Sequence, residues 1–178
     1  GKFKNTSPIG RIPVLKVEEG IIPESEVITE YLDERYPEQS LMRGKSLKER
    51  ADIRVISRIA DTYLMNNIFL ALSQLDPAKR NEGVVDLLMA QVERGMTALE
   101  QHISDEGFAT GDTLTRADAS LVPALFMCQY TVPRFGKPNP IDATVKVKRY
   151  WAHILQNEHC KRGMDEMMLG LKARMDGS

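Results

Sequence analysis

The spacing of apolar residues changes near residue 24, and this change predicts a β-hairpin followed by a helix. Two short apolar runs, Val14-Leu15 with Val17 and then Ile21-Ile22, flank the turn sequence Glu18-Glu19-Gly20. Such a pattern is typical of an antiparallel hairpin. The next apolar residues have helical spacing, and Pro37 follows them. They are Val27, Ile28, Tyr31 and Leu32.

From residue 46 onward the apolar spacing is helical. Ser46 and Glu49 can form a capping box for a long helix over residues 46–75, which Asp76-Pro77 would end. A second long helix is expected to end near Glu106-Gly107. After a Pro-rich link at 132–140, helices are predicted over 143–156 and 158–174. The two long stripes are Ile56, Ile59, Ala60, Tyr63, Leu64, Ile68 and Leu72, and then Val85, Leu88, Val92, Met96, Leu99 and Ile103.

Between these helices, Thr115 and Asp118 have the spacing of a capping box before a third apolar helix. The Thr side chain can accept a hydrogen bond from the backbone three residues on, and the Asp side chain can reach back. We therefore expect these two residues to act in folding. Replacing Asp118 with Ala is expected to cost about 1–2 kcal/mol of stability.

Composition excludes several kinds of partner. The 178 residues are 42% apolar, enough for a core, and the net charge of −1 gives no reason to expect nucleic acid or a membrane as a partner. Cys128 and Cys160 are too few for a disulfide framework, and the three histidines have no metal-ligand spacing. We expect no metal and a cytoplasmic location.

Glu24-Ser25 is the first candidate for chemistry. A helix start carries unpaired N–H groups and partial positive charge, which favour a carboxylate, and the Ser25 hydroxyl adds a donor. The Glu24 carboxylate would attract an ammonium group. An α-amino acid head has both groups. An equally weighted interpretation is that Ser25 only caps the helix and Glu24 only favours its dipole.

Three segments resemble the soluble, bacterial-type glutathione transferases. They are residues 7–15 (SPIGRIPVL), residues 23–25 (PES) and residues 111–118 (GDTLTRAD). The resemblance implies a cis bond before Pro13 and a backbone contact from Ile12 to the cysteinyl unit of glutathione. It also implies that Glu24 and Ser25 hold the γ-glutamyl head and that Arg11 lies near the glycyl carboxylate.

The resemblance also implies a fold and an activity. Residues 1–41 would be the rear of a thioredoxin-like domain, a hairpin plus a helix, and residues 42–178 an all-helical domain. The protein would be a homodimer that uses glutathione as co-substrate and promotes attack of its thiolate on a small hydrophobic electrophile. The family's catalytic Tyr, Ser or Cys belongs to a βαβ unit, which we expect upstream of Gly1.

Two alternatives stay open. The first is a non-catalytic module for dimerisation or scaffolding, although the amino-acid clamp argues against it. The second is a specialised glutathione-dependent isomerase, dehalogenase or ether-cleaving enzyme. Leu121-Val122-Pro123 is similar to the zeta class, which includes isomerases, whereas that class usually has Gln where this chain has Glu24. The subclass is therefore undecided.

Overall fold

The computed structural model describes residue 7 and residues 9–175, with the side chains of 174 and 175 excepted. Pro8, part of the first family-like segment, lies outside the described residues. The chain forms two compact units, Gly1–Ser46 and Leu47–Ser178. The division after residue 41 that the sequence suggests stays a prediction.

The first unit contains the predicted hairpin and helix, which are confirmed. Strands β1 (Val14–Val17) and β2 (Gly20–Pro23) pair antiparallel, with Val17 opposite Gly20 and Val14 opposite Pro23. Gly20 has a φ of 148°, a conformation that side chains rarely adopt, so glycine closes the turn. Helix α1 spans Ser25–Arg35.

The second unit begins with one continuous helical run whose middle the sequence did not predict. Helix α2 (Leu47–Ile59) continues into a π-helical segment (Ala60–Met65), helix α3 (Asn66–Ala71) and a 3₁₀ turn (Leu72–Gln74). A π-helical turn changes the hydrogen-bond register and leaves carbonyls to be satisfied otherwise. The Asn67 amide does this by donating to the carbonyls of Thr62 (3.0 Å) and Tyr63 (2.9 Å).

Helix α4 (Glu82–His102) passes very close to this π-helical segment at Gly95. A Cβ at Gly95 would lie 2.8 Å from Leu64 Cδ2, so a glycine is required for the approach. The six residues of the apolar stripe predicted for α4 are all buried. The prediction that α4 ends near 106–107 was wrong. Ile103 has an extended backbone, so the helix ends at His102. The N–H of Ser104 then donates to the carbonyl of Ala109 (3.0 Å), which closes a loop.

Three helices complete the second unit: α5 (Arg116–Thr131), α6 (Val145–Ile154) and α7 (Glu158–Met175). The two C-terminal helices were predicted correctly, but the first begins at 145, because Pro140–Ala143 forms a 3₁₀ turn capped by Asn139. The Pro-rich link before it also starts with a 3₁₀ turn, Val132–Phe135.

The core of the second unit lies where α4 and α5 both pack against the helical run 47–71. Its largest fully buried side chains are Tyr150, Ile53, Ile56, Leu64, Ile68, Leu99, Ile103, Leu121, Leu125 and Ile154. In the described part of the chain, no helix combines the length and the apolar character needed to cross a membrane.

Candidate functional site

The register of the hairpin brings two separate segments to the same end of the first unit. Because Val14 faces Pro23, the residue before β1 and the residue after β2 are neighbours across the hairpin. The segment that ends at Pro13 and the segment that starts at Glu24 therefore lie at the same end of the hairpin. Paired strands lie about 4.8 Å apart, so one small ligand can reach both segments.

The segment before β1 is held in a fixed shape by Ser7. The Ile12–Pro13 peptide bond is cis, the isomer that the family resemblance implies. Ser7 is fully buried, its Oγ donates to the carbonyl of Arg11 (2.9 Å), and its carbonyl accepts from the N–H of Gly10 (2.8 Å). Sequence reasoning missed this role of Ser7, for which the only signal was its place in the family-like segment.

Ile12, in this segment, is exposed and takes no part in the pairing of the hairpin strands. Ile12 is 79% exposed, so its side chain adds little to packing. Among the described residues, the Ile12 N–H and carbonyl have no hydrogen-bond partner. The Arg11 side chain is exposed beside it. A peptide ligand can therefore pair with this stretch of backbone in the way that an added strand pairs with a sheet edge.

The second segment is the start of α1, where Glu24 has an unusual backbone conformation. Glu24 has φ 69° and ψ 118°, which a residue with a side chain adopts only at a cost of about 1–3 kcal/mol. Its carbonyl accepts from the N–H of Ile28 (2.9 Å), so Glu24 is the N-cap residue of α1. Such outliers cluster at ligand-binding sites.

The interpretation in which Ser25 only caps α1 is wrong. Glu24 occupies the cap position, and Ser25 is the first helical residue. Neither side chain caps the helix, and both are exposed. In the described chain the Ser25 hydroxyl and the Glu24 carboxylate are therefore available to a ligand, next to the N–H groups of the first helical turn.

Thr115 and Asp118 form the predicted capping box, and the structure adds a third contact. Asp118 Oδ2 accepts from the N–H (2.8 Å) and the hydroxyl (3.0 Å) of Thr115, and Oδ1 accepts from the N–H of Ala109 (2.8 Å). Burial raises the pKa of the Asp118 carboxyl, and these hydrogen bonds offset part of that rise. The box fastens the loop before α5 to the helix, which is a role in folding.

The two cysteines are not activated. Cys128 is fully buried in α5, and burial raises its pKa to about 12. Cys160, in the first turn of α7, is half-buried with its pKa raised to about 11, chiefly by burial and then by the negative charge of Asp118. Both therefore remain thiols at neutral pH. No three His, Cys, Asp or Glu side chains converge as metal ligands within the described ranges.

A hairpin that carries a cis-proline and ends at a helix start, followed by an all-helical unit, defines a glutathione-transferase-like architecture. The family model for the glutathione S-transferase C-terminal domain matches residues 56–158, and that for the N-terminal domain matches residues 2–40. The chain belongs to the glutathione S-transferase family.

Similar proteins include several with different names. A probable glutathione S-transferase DHAR2, chloroplastic, from Oryza sativa is 30% identical over 85% of this chain and 50% of its own. A maleylacetoacetate isomerase from Pseudomonas aeruginosa is 32% identical over 80% of this chain and 66% of its own. The chain thus spans between half and about two thirds of the length of these relatives.

Solved structures with the same fold include two with ligands. A glutathione S-transferase from Methylobacterium radiotolerans, in complex with glutathione sulfonate, has a TM-score of 0.77 at 16% identity, covering 91% of this chain and 76% of its own. A glutathione transferase family member from Pseudomonas fluorescens, with bound glutathione, has a TM-score of 0.75 at 20% identity, covering 90% of this chain and 77% of its own.

Proposed function

We propose that this protein binds glutathione and promotes attack of the glutathione thiolate on a small hydrophobic electrophile. The observation that carries the proposal is the register of the hairpin, which brings the segment ending at Ile12-Pro13 and the helix start at Glu24-Ser25 to the same end of the first unit. Each segment offers what one part of the tripeptide requires.

The backbone at Ile12 suits the cysteinyl unit. Its N–H and carbonyl take no part in the β1–β2 pairing, and no described residue satisfies them. A bound peptide that supplies one carbonyl and one N–H would satisfy both, and each such hydrogen bond contributes about 0.5–1.5 kcal/mol. These hydrogen bonds at Ile12 involve only the peptide backbone of the ligand, so its thiol stays unbound.

The start of α1 suits the γ-glutamyl head. Its α-carboxylate would accept hydrogen bonds from the Ser25 hydroxyl and the first-turn N–H groups, where the helix dipole favours negative charge. Its α-ammonium would pair with the Glu24 carboxylate. The positive-φ conformation of Glu24 is then a cost of placing the carboxylate beside the helix start.

Arg11 completes the set at the other end of the ligand. Its exposed guanidinium lies one residue before Ile12, and we assign it to the glycyl carboxylate. An extended peptide advances about 3.3 Å per residue. The two charged ends of a tripeptide can therefore contact Arg11 and Glu24 while its middle pairs with Ile12.

We also propose that the protein works as a cytoplasmic homodimer. The family resemblance supports both statements, and one similar rice protein, 32% identical, is named as cytosolic. Sedimentation equilibrium checks the assembly: twice the chain mass is expected, and a monomer at all concentrations contradicts it.

A glutathione-dependent isomerase is the second candidate. It is favoured by the Pseudomonas aeruginosa relative, which is named a maleylacetoacetate isomerase. An isomerase would use the same glutathione site and return the thiolate after each turnover. The two activities separate by stoichiometry, because conjugation consumes one glutathione per product and isomerisation consumes none.

The test is isothermal titration calorimetry, which measures the dissociation constant of S-methylglutathione. Replacing Glu24 with Gln removes a charge-assisted contact of about 1.5–3 kcal/mol, so the dissociation constant should rise roughly ten- to hundredfold. Glu34, an exposed carboxylate near the other end of α1, gives the control Glu34→Gln, which should bind as the wild type does.

A second ligand separates the proposed pairing of Glu24 with the α-ammonium group from a general loss of glutathione affinity in the variant. S-methylglutathione without its α-amine should bind wild type and Glu24→Gln equally well, because the partner of Glu24 is absent. Equal loss with both ligands, or unchanged affinity of Glu24→Gln for the complete ligand, would rule out the proposed pairing.

A further inference from the structure

The second unit contains a cavity that none of the proposed glutathione contacts line. It has a volume of about 400 Å³ and lies between α4 and the chain that joins α5 to α6. Small-molecule sites typically enclose about 300–1,000 Å³. Its inner wall is apolar and built from the buried side chains of Met89, Val92, Met96 and Val132.

Three polar groups at this cavity act as hydrogen-bond acceptors. The Thr97 hydroxyl already donates to the carbonyl of Glu93 (3.0 Å), and the Thr144 hydroxyl already donates to the carbonyl of Ile141 (3.2 Å). Each hydroxyl oxygen therefore has only lone pairs left to offer. The Glu93 carboxylate, which also lines the cavity, accepts only. To bind these three groups a ligand must supply the donors, whereas Lys137 in the lining donates to Asp86.

The charges at the cavity are not balanced. Lys137 and Asp86 both line it, but they pair with each other, with Lys137 Nζ 3.1 Å from Asp86 Oδ1. Within the described residues Glu93 has no ion-pair partner, and the neighbouring Arg94 is not among the lining residues. The residues that line the cavity therefore carry a net charge of −1 at the edge of an apolar wall, and Arg94 lies with Glu93 at the adjoining depression.

We propose that this cavity binds a small organic ammonium ion. The apolar body of the ligand packs against Met89 and Met96, whose unbranched thioethers adapt to varied shapes. Its ammonium group donates to the Glu93 carboxylate and to the hydroxyl oxygen of Thr97, one helical turn further along α4. The site is separate from glutathione binding, so either can exist without the other.

Three probes of matched shape test the charge requirement: 2-phenylethylammonium, 2-phenylethanol and 3-phenylpropionate. Calorimetric titration of the full chain at neutral pH and low salt should give the order ammonium, alcohol, carboxylate, from tightest to weakest. Equal affinities for the three probes, or no detectable binding of the ammonium ion at about 10 mM, would overturn the proposal.

Variants on the exposed side of α4 locate the site without unfolding the protein. Glu93→Gln should weaken binding of the ammonium ion about fivefold, the size expected of an exposed ion pair, and leave binding of the alcohol unchanged. Glu82→Gln, on the same helix but away from the cavity, should change neither. If the two variants behave alike, Glu93 is not the partner and the proposal fails.

Two further variants change the cavity in opposite directions. Lys137→Gln releases Asp86 from its ion pair and should tighten ammonium binding. Ala90→Trp fills the cavity and should abolish binding of both the ammonium ion and the alcohol. Binding that survives Ala90→Trp, together with an unchanged melting temperature, places the probe elsewhere and refutes the assignment.

Discussion

Removal of the Asp118 carboxylate tests how the helical unit is held together. Asp118 is fully buried and accepts from two backbone N–H groups, those of Thr115 and Ala109, and from the Thr115 hydroxyl. Asp118→Ala leaves both backbone donors without these acceptors, and a buried unsatisfied donor costs about 1–3 kcal/mol. Because the variant also removes a desolvated carboxylate, we expect a net loss of about 2–4 kcal/mol.

Urea unfolding followed by the fluorescence of Trp151 measures this loss. Trp151 is the single tryptophan and lies buried in α6, so it reports on the second unit. Asp112→Ala is the control, because Asp112 is an exposed carboxylate in the same loop. If Asp118→Ala is as stable as Asp112→Ala, the capping box and the bond to Ala109 do not stabilise the fold, and the reasoning is refuted.

The pH dependence of the free energy of unfolding gives an independent check on Asp118, because the direction of its pKa shift fixes the sign of the change. The pKa of the Asp118 carboxyl is raised above its usual 3.8 by burial, so the folded state holds this proton more tightly than the unfolded state does. The stability that this proton contributes is present in full below pH 3.8 and is lost as pH rises through the folded pKa.

Comparison with Asp118→Asn isolates this group from the other carboxylates. The free energy of unfolding of the wild type minus that of the variant should decrease from about pH 3 to about pH 7. A difference that increases with pH would mean that the hydrogen bonds outweigh desolvation, and would overturn the stated direction of the pKa shift.

Three further predictions follow from close contacts and burial in the second unit. Gly95→Ala should lower stability by about 1–3 kcal/mol because its Cβ meets the π-helical segment at 2.8 Å. In the same urea unfolding, Gly83→Ala should be neutral or slightly stabilising, because its Cβ would meet nothing closer than Asn81 Oδ1 at 3.4 Å. Glu100→Ala removes the carboxylate that accepts from the N–H groups of Lys146 and Val147, the second and third residues of α6. It should cost about 1–2 kcal/mol by urea unfolding, so an unchanged midpoint contradicts it. In a thiol assay with Ellman's reagent at about pH 8, Cys160 should react about a hundredfold slower than an ordinary thiol, and Cys128 slower still. Unfolding in urea should restore the ordinary reaction rate of both thiols. Fast reaction in the native protein would contradict the raised pKa values.

Local pattern was enough to predict most of the elements. The change from β-type to helical spacing at residue 24 identified the hairpin and α1, and the i, i+3 and i+4 stripe identified α4 and its buried residues. The Thr115–Asp118 spacing identified the capping box. These features depend on neighbours within one or two turns of chain, so the sequence alone contains their cause.

Features that depend on distant residues were missed. The π-helical segment at Ala60–Met65 has no sequence pattern of its own, and Gly95 of another helix is what allows the close contact with it. The early end of α4 follows from a loop whose Ala109 is bonded to Asp118, nine residues away. Helical spacing cannot indicate such endings, because the competing hydrogen bonds come from outside the helix.

The sequence by itself determined the family, the order of the elements and the residue types at the proposed glutathione site. Only the tertiary structure decided that Glu24 is the cap residue of α1 with a positive φ, and that Ser7 fixes the segment before Pro13. It also decided that Glu93 lies at an apolar cavity with no partner among the described residues. The physical reason is that residue spacing encodes local hydrogen bonds and amphipathic faces, whereas exposure, strain and charge balance depend on which distant groups meet in the folded chain.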